Sequence, residues 1–279
     1  MDGPAIDLAA YFGRIGYEGE ARASLETLSQ LHALHAEAIP FENLAAFLGE
    51  EIPLDAASLQ RKLVAEGRGG WCFEQNLLLA HMLRALGFTL TTLAARVRWN
   101  APAGAARPRS HMLLLVKLPE GDYIADVGFG GLTLSAPLRF EAGAVQETPH
   151  EPFRLEEEAP GLFRLDARVA DEWQALYAFD LHEQQLPDYE VSNWYLANHP
   201  QSQFVTGLIA ARTAPGIRHA LRGGRYSIHR RDGTESRALE SVVDFREVLE
   251  GPLRIRLPDH PELDRRLARL VDNLVHGSR

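Results

Sequence analysis

The only cysteine in the 279-residue chain, Cys72, stands in the run Arg68-Gly69-Gly70-Trp71-Cys72-Phe73-Glu74-Gln75-Asn76. A helix-like stretch, Leu77 to Leu86, follows and stops at Gly87. A thiol in the first turn of a helix lies near unpaired backbone N–H groups and the positive end of the helix dipole, and both favour thiolate over thiol. A lone cysteine is otherwise a small buried hydrophobe. The polar neighbours Glu74, Gln75 and Asn76 and the glycine pair argue against an inert core position.

A nucleophilic thiol needs a base within hydrogen-bond reach, and the base needs a third group to fix its tautomer. Eleven histidines compete for the first role. His32, His35 and His81 fall on amphipathic helices and read as packing or surface residues, and His150, His199 and His260 sit beside prolines in loops. His111 opens the apolar strand Met112-Leu113-Leu114-Leu115-Val116, at the edge of a core with one face open. This pattern leaves a structural histidine and a base equally open. Asp126 is the stronger clue, because it sits mid-strand in Tyr123-Ile124-Ala125-Asp126-Val127-Gly128, where aspartate is disfavoured and burial is expected. A buried carboxylate needs hydrogen bonds or an opposite charge. An imidazolium would supply both; a capped turn or a surface aspartate is the alternative.

These groups require a hairpin that brings His111 and Asp126 together. The simplest register across residues 119–122 sets Leu118 opposite Tyr123, Leu115 opposite Asp126, and His111 near Gly130. His111 and Asp126 then share a face but lie four positions apart, roughly 13 Å at ~3.3 Å per residue. A shifted register, a bulge or strong twist has to close that gap. A metal site is poorly supported: His32-x-x-His35 has helical ligand spacing, but the sequence places no third ligand, and HExxH is absent. Gly128-Phe129-Gly130-Gly131 matches neither the Rossmann nor the P-loop pattern and by itself reads as a turn.

The supporting elements divide the chain. Helices are expected at 5–12, at 24–36 behind Ser24 as N-cap, at 55–66, and after Cys72. The Leu25, Leu28, Leu31, Leu34 stripe gives the second helix one apolar face, and Pro40 stops it. From Thr89 the period changes to two. Strands are expected at 89–99, 111–118, 123–127, 132–140, 153–156, 162–168 and 173–180, a spacing that suggests an antiparallel barrel or sandwich. Glu156-Glu157-Glu158 reads as a solvated loop. Residues 187–203 read as a connection with a short helix. Strands at 204–211 and 225–229, a turn at Asp232-Gly233, and helices at 241–250 and 259–276 complete the chain. The expected fold is α+β: a helical bundle over 1–86, an antiparallel barrel or sandwich over 87–195, and a mixed α/β segment over 196–279.

Composition limits the function. A formal charge of −9 argues against nucleic-acid binding. One cysteine excludes a disulfide framework and Cys-rich metal sites, and fits a reducing cytoplasm. Neither a secretory signal nor an apolar run of the ~18–20 residues needed to span a bilayer is present, so a cytoplasmic protein without membrane attachment is expected.

Taken together, five blocks resemble the arylamine N-acetyltransferases: Ile39-Pro40-Phe41-Glu42-Asn43-Leu44; Arg68 to Asn76; His111 at the head of its strand; Tyr123 to Gly130; and Ser192-Asn193-Trp194-Tyr195 with Pro200-Gln201-Ser202-Gln203-Phe204. They occur in the family's order. The resemblance implies a helical bundle, a barrel and a lid around a papain- or transglutaminase-like core, and a Cys72–His111–Asp126 triad. It implies acetyl-coenzyme A as co-substrate with no permanently bound cofactor, and a small aromatic amine or hydrazine as acceptor. It further implies that Phe41 and Phe204 line the acceptor pocket. Trp99, Ser110, Gly128, Phe129, Gly130 and Gly131 would lie along the coenzyme A path, Ser110 standing where many relatives carry threonine. A monomer or homodimer is expected. The same triad would also serve an amide synthase that releases an acyl chain from a carrier protein, or a thiol hydrolase or transglutaminase. A binding protein with an inert Cys72 is the non-enzymatic alternative.

Overall fold

Short polar side chains start the N-terminal helices. The Asp7 carboxylate accepts the Ala10 N–H at 2.9 Å and opens Leu8–Ile15; the Ser24 hydroxyl accepts the Thr27 N–H at 3.2 Å and opens Leu25–Ala38. The computed structural model describes residues 6–102 and 104–276; what was expected of residues 1–5, Ala103 and 277–279 lies outside them. The first helix therefore runs about three residues later than its apolar pattern suggested, set by the Asp7 cap. The second ends ahead of Pro40. The helix expected over 55–66 starts at Ala56 behind Asp55 and widens into a π-helical segment, Gln60–Ala65. Cys72–Ala85 is the last helix of this group, and it packs against Thr89–Val97 and Arg109–Leu118.

The eight-stranded antiparallel sheet has the spatial order Leu138–Arg139, Gly121–Ala125, Arg109–Leu118, Thr89–Val97, Glu172–Asp180, Leu162–Val169, Phe153–Ala159, Val145–Gln146. Arg109–Leu118 is buried on both faces. Met112, Leu114 and Val116 belong to the core shared with the helices, whereas Leu113 and Leu115 belong to the barrel interior. The two edge strands meet through a side chain: the Gln146 amide accepts the Arg139 N–H at 2.7 Å and donates to the Arg139 carbonyl at 2.9 Å. One glutamine thus copies a backbone pair at the seam of a nearly closed barrel. The strand expected over 132–140 shrinks to Leu138–Arg139, because residues 131–137 turn and bend before it. Glu156, Glu157 and Glu158 lie within a strand rather than a loop; Arg154 pairs with Glu156 at 3.2 Å and Arg164 with Glu158 at 2.7 Å, which makes the acidic run tolerable there.

Residues 186–198 form one 13-residue helix, longer than the short one expected. Pro187 falls in its first turn, where a missing N–H costs nothing, and Asp188 accepts the Gln185 N–H at 2.8 Å. Residues 204–206, expected to begin a strand, belong instead to a single helical turn, Gln203–Thr206, capped by Ser202, and the strand begins at Ile209. The C-terminal sheet has the order Phe41–Glu42, Ile209–Ala214, Ile217–Arg222, Arg225–Arg230, Gly233–Ala238, all antiparallel. Its outermost strand comes from the N-terminal region: Phe41 pairs with Ala211 and Glu42 with Ala210. Helices Val242–Glu250 and Leu263–His276 cover this sheet through Phe245, Val248, Leu249, Leu263 and Leu267. Among the described residues no helix is long and apolar enough to cross a membrane.

Candidate active site

Cys72 is the first residue of its helix, and the side chain of the N-cap residue, Trp71, makes no cap hydrogen bond there. The helix start is held from below. Glu74 accepts the Trp71 N–H at 3.1 Å and pairs with Lys62 at 2.6 Å. The Gln75 amide donates to the carbonyls of Ile39, Pro40 and Gly70 at 3.2, 2.9 and 3.1 Å. Its oxygen meets His35 Nε2 at 2.7 Å, and His35 Nδ1 meets the Tyr11 hydroxyl at 2.9 Å. The residues before the thiol are glycines for steric reasons: a Cβ on Gly69 would overlap the Pro40 carbonyl oxygen and stand 2.7 Å from Glu42 Cγ.

Glu42 and Arg68 form a buried ion pair at 3.2 Å beneath this loop, and Glu42 also accepts the Leu44 N–H at 2.6 Å. Replacing Glu42 by Gln leaves the Arg68 guanidinium uncompensated in the interior, so Glu42→Gln is expected to lower stability by about 3–5 kcal/mol. A urea denaturation curve would read this directly; a midpoint equal to that of the parent protein would show the pair to be dispensable.

His111 and Asp126 meet at 2.7 Å, Nε2 to Oδ2. The hairpin register differs from the simplest one, because Leu118 pairs with Gly121 and Val116 with Tyr123 around a two-residue turn at Pro119-Glu120. This places position 126 opposite 113, two residues from His111, or roughly 7 Å along the strand instead of 13 Å. The ladder ends at Ala125, and a register shift at Ala95/Arg96 faces Ser110 on the other side of His111. The expected facing of Leu115 with Asp126 is therefore incorrect, and the shorter turn together with the bulge closes the gap.

Asp126 is fully buried. Its Oδ1 accepts the Asn76 amide at 2.9 Å and the Gly128 N–H at 2.9 Å. Asn76 also donates to the Met112 carbonyl at 2.8 Å and accepts the Val127 N–H at 3.0 Å. Burial pushes the Asp126 carboxyl up, but the His111 charge and these hydrogen bonds outweigh it and hold the carboxyl below its ordinary range. For His111, burial opposes the charged ring; the Asp126 charge and hydrogen bond, with the hydrogen bond and charge of Cys72, overcome it and push the pKa up to about 10. Since Nε2 is engaged by Asp126, Nδ1 is the nitrogen left for the sulfur. The Cys72 thiol also lies 3.7 Å from the Ser110 carbonyl oxygen. Charged imidazole and thiolate favour one another in this arrangement.

Phe129 and Tyr177 pack on the His111 ring at centroid distances of 5.1 and 4.8 Å. His32 meets Asp126 at the backbone and not at the carboxylate: its Nε2 accepts the Asp126 N–H at 3.1 Å. Burial pushes the His32 pKa down to about 4 and keeps the ring neutral. Neither His32 nor His35 is a surface residue, and among the described residues no group of three or more His, Cys, Asp or Glu side chains could hold a metal ion.

A cavity of about 1250 Å³ opens onto Cys72 and His111. Phe41, Phe204, Trp99, Ser110 and Gly128 to Gly131 line the same cavity, whereas Asp126 stands behind it. Phe204 is held by Asn43, whose amide donates to the carbonyls of Phe204 and Gly207 at 2.7 and 2.8 Å and accepts the Ile209 N–H at 2.7 Å. Phe204 meets Trp71 edge-on at 5.2 Å and Phe41 at 6.5 Å. Six arginines and three carboxylates contribute to the walls, so the cavity is cationic in a chain that is anionic overall. Sequence reasoning missed the contribution of Asn76, although its place one turn after Cys72 puts both on one helix face. No local signal pointed to Tyr177 or to the arginines.

The sequence profile of the N-acetyltransferase family matches residues 24–261. The chain belongs to the N-acetyltransferase family. It is 44% identical over 261 residues to an arylamine N-acetyltransferase of Mycobacterium tuberculosis H37Rv, covering 91% of each chain. Over 208 residues it is 44% identical to an arylamine N-acetyltransferase / N-hydroxyarylamine O-acetyltransferase of Salmonella typhimurium, covering 75% of this chain and 73% of that one. The structure of the Mycobacterium marinum arylamine N-acetyltransferase in complex with CoA superposes with a TM-score of 0.91 at 41% identity, covering 95% of this N-acetyltransferase and 99% of that chain.

Proposed function

We propose that this N-acetyltransferase moves an acetyl group from acetyl-coenzyme A to an arylamine, an arylhydrazine or an N-hydroxyarylamine through an acetyl-Cys72 intermediate. The observation that carries this reading is a thiol from the helical layer and an imidazole from the sheet, the imidazole backed by a buried carboxylate, meeting in one open, cationic, aromatic-lined cavity. Cys72 sulfur attacks the thioester carbonyl, and the Cys72 N–H at the helix start faces the developing oxyanion. The C–S bond to coenzyme A breaks, and its sulfur leaves with the proton held on His111. The amine then attacks the acetyl-cysteine while His111 takes its proton, and the Cys72 thiolate is released. Asp126 keeps the ring oriented and its charge compensated. The arginine-rich walls suit the phosphates of coenzyme A, and Phe41 and Phe204 suit an aryl ring. The relatives named above support both halves of the reaction. With one unpaired thiol, the enzyme is proposed to work in the reducing cytoplasm.

Mixing the protein with acetyl-coenzyme A in the absence of amine is expected to add one acetyl mass that maps to Cys72, and an aminobenzoate or a hydrazine is expected to discharge it. An absent adduct, or one that survives Cys72→Ala, would sink the reading.

A further inference from the structure

His32 is fully buried on Leu25–Ala38, and it touches the site at the Asp126 backbone. A backbone N–H can only donate, so the 3.1 Å contact between the Asp126 N–H and His32 Nε2 requires a lone pair on Nε2. In a neutral ring the proton then resides on Nδ1. Nδ1 is itself buried and has no hydrogen-bond partner among the described residues. The fold therefore tolerates an unmet donor on one side of this ring to keep an acceptor on the other. A residue retained for packing alone would not need either atom.

What the acceptor holds is specific. Asp126 is the first residue past the end of its strand, so no neighbouring strand takes its N–H. Its carboxylate is steered by Asn76 and the Gly128 N–H on one oxygen and by His111 on the other. The backbone from which that carboxylate extends is tied to the helical layer through His32. One turn further along the same helix face, His35 holds Gln75 and thereby the loop before Cys72. One helix thus reaches both halves of the site, with His32 at the acid and His35 at the thiol.

We propose that His32 is a positioning residue for the triad acid: as the neutral, Nδ1-protonated tautomer it holds the Asp126 backbone amide, and with it the aim of the carboxylate at His111. This rests on the reading that Asp126 is the triad acid. Gln is the conservative replacement, since its side-chain oxygen can reach the place of Nε2; Phe fills the space without an acceptor.

The test pairs two readouts. Nitrogen-15 spectra of histidine-labelled wild-type protein at neutral pH are expected to show His32 as the neutral Nδ1–H tautomer. The rate of Cys72 alkylation by iodoacetamide is expected to fall about 10- to 100-fold in His32→Phe and to stay within about threefold of wild type in His32→Gln. The Kd for coenzyme A should be unchanged in both variants. Alkylation needs no acetyl donor, so a failure of the acetyl-transfer reading would leave this readout intact. A charged or Nε2-protonated His32 would overturn the proposal without any variant. So would a folded His32→Phe protein that alkylates at the wild-type rate, or a His32→Gln protein as slow as the Phe form.

Discussion

Asp126→Asn is expected to slow acetylation of Cys72 by about 10³–10⁴-fold, the scale of a lost tautomer-fixing carboxylate. The amide can still accept from Asn76 and the Gly128 N–H through its oxygen. Its NH₂ group then faces His111 and donates to Nε2, which places the ring proton on Nδ1, next to the sulfur. That tautomer cannot accept a proton from the thiol or the incoming amine. With the carboxylate gone, burial dominates and favours the neutral ring. A rapid-quench measurement of acetyl-enzyme formation reads the effect, and a variant within tenfold of wild type would remove Asp126 from the triad.

The same variant carries a pH signature in stability. His111 has a folded pKa above its ordinary value of 6.5, so its contribution is fully present below about 6.5 and fades as pH rises toward about 10. Asp126 has a folded pKa below its ordinary 3.8, so its contribution is present above about 3.8 and fades as pH falls below that. The stability difference between wild type and Asp126→Asn is therefore expected to be largest between about pH 4 and 6.5 and to shrink on the alkaline side. Urea titrations from about pH 4 to about pH 10 would expose a flat difference, which the ion pair cannot produce.

Gly128→Ala is the second large effect. A Cβ there would lie 2.7 Å from Cys72 Cα, 3.0 Å from the Cys72 carbonyl oxygen and 2.9 Å from Asn76 Nδ2. Two of these neighbours are backbone and the third is committed to Asp126 and Met112, so none can yield cheaply. The strain separates the thiol helix from the strand end that carries the acid. A loss of about 2–3 kcal/mol in stability is expected from overpacking. A displacement of even 1 Å at the thiol should cost about 100-fold in acylation. Gly13, where a Cβ meets nothing within 4 Å, is the matching control. Gly13→Ala should be neutral or slightly stabilising, and parity of the two variants in melting temperature would reject the close-approach explanation.

Much of this site is legible locally. Cys72 announces itself by being single, by its glycines and by the helix that follows. Asp126 does so by being a carboxylate in an apolar strand. Ser24, Asp7 and Pro40 act through their own side chains, so their effects stay within a few residues. Long-range register is not local. The two-residue turn at Pro119-Glu120 and the shift facing Ser110 together decide whether His111 reaches Asp126, and each depends on packing from other strands. His32 carried the right chemistry but no sign of its partner, which lies 94 residues away. Tyr177 and the cavity arginines come from loops and strands whose convergence is a property of the nearly closed eight-stranded sheet and the five-stranded sheet beside it.

The strand Phe41–Glu42 has a temporal consequence. Its partner, Ile209–Ala214, is made about 170 residues later (211 − 41 = 170), and Asn43 waits for Phe204, Gly207 and Ile209 over a similar span. At ~5–20 residues per second on the ribosome, roughly ten to thirty seconds separate the two. During that interval Cys72, His111 and Asp126 have all been synthesised, while the wall that carries Phe204 has not. A nascent chain should therefore present Cys72 to a cavity that still lacks one wall, and on the proposed reading the last third of translation supplies the acceptor side.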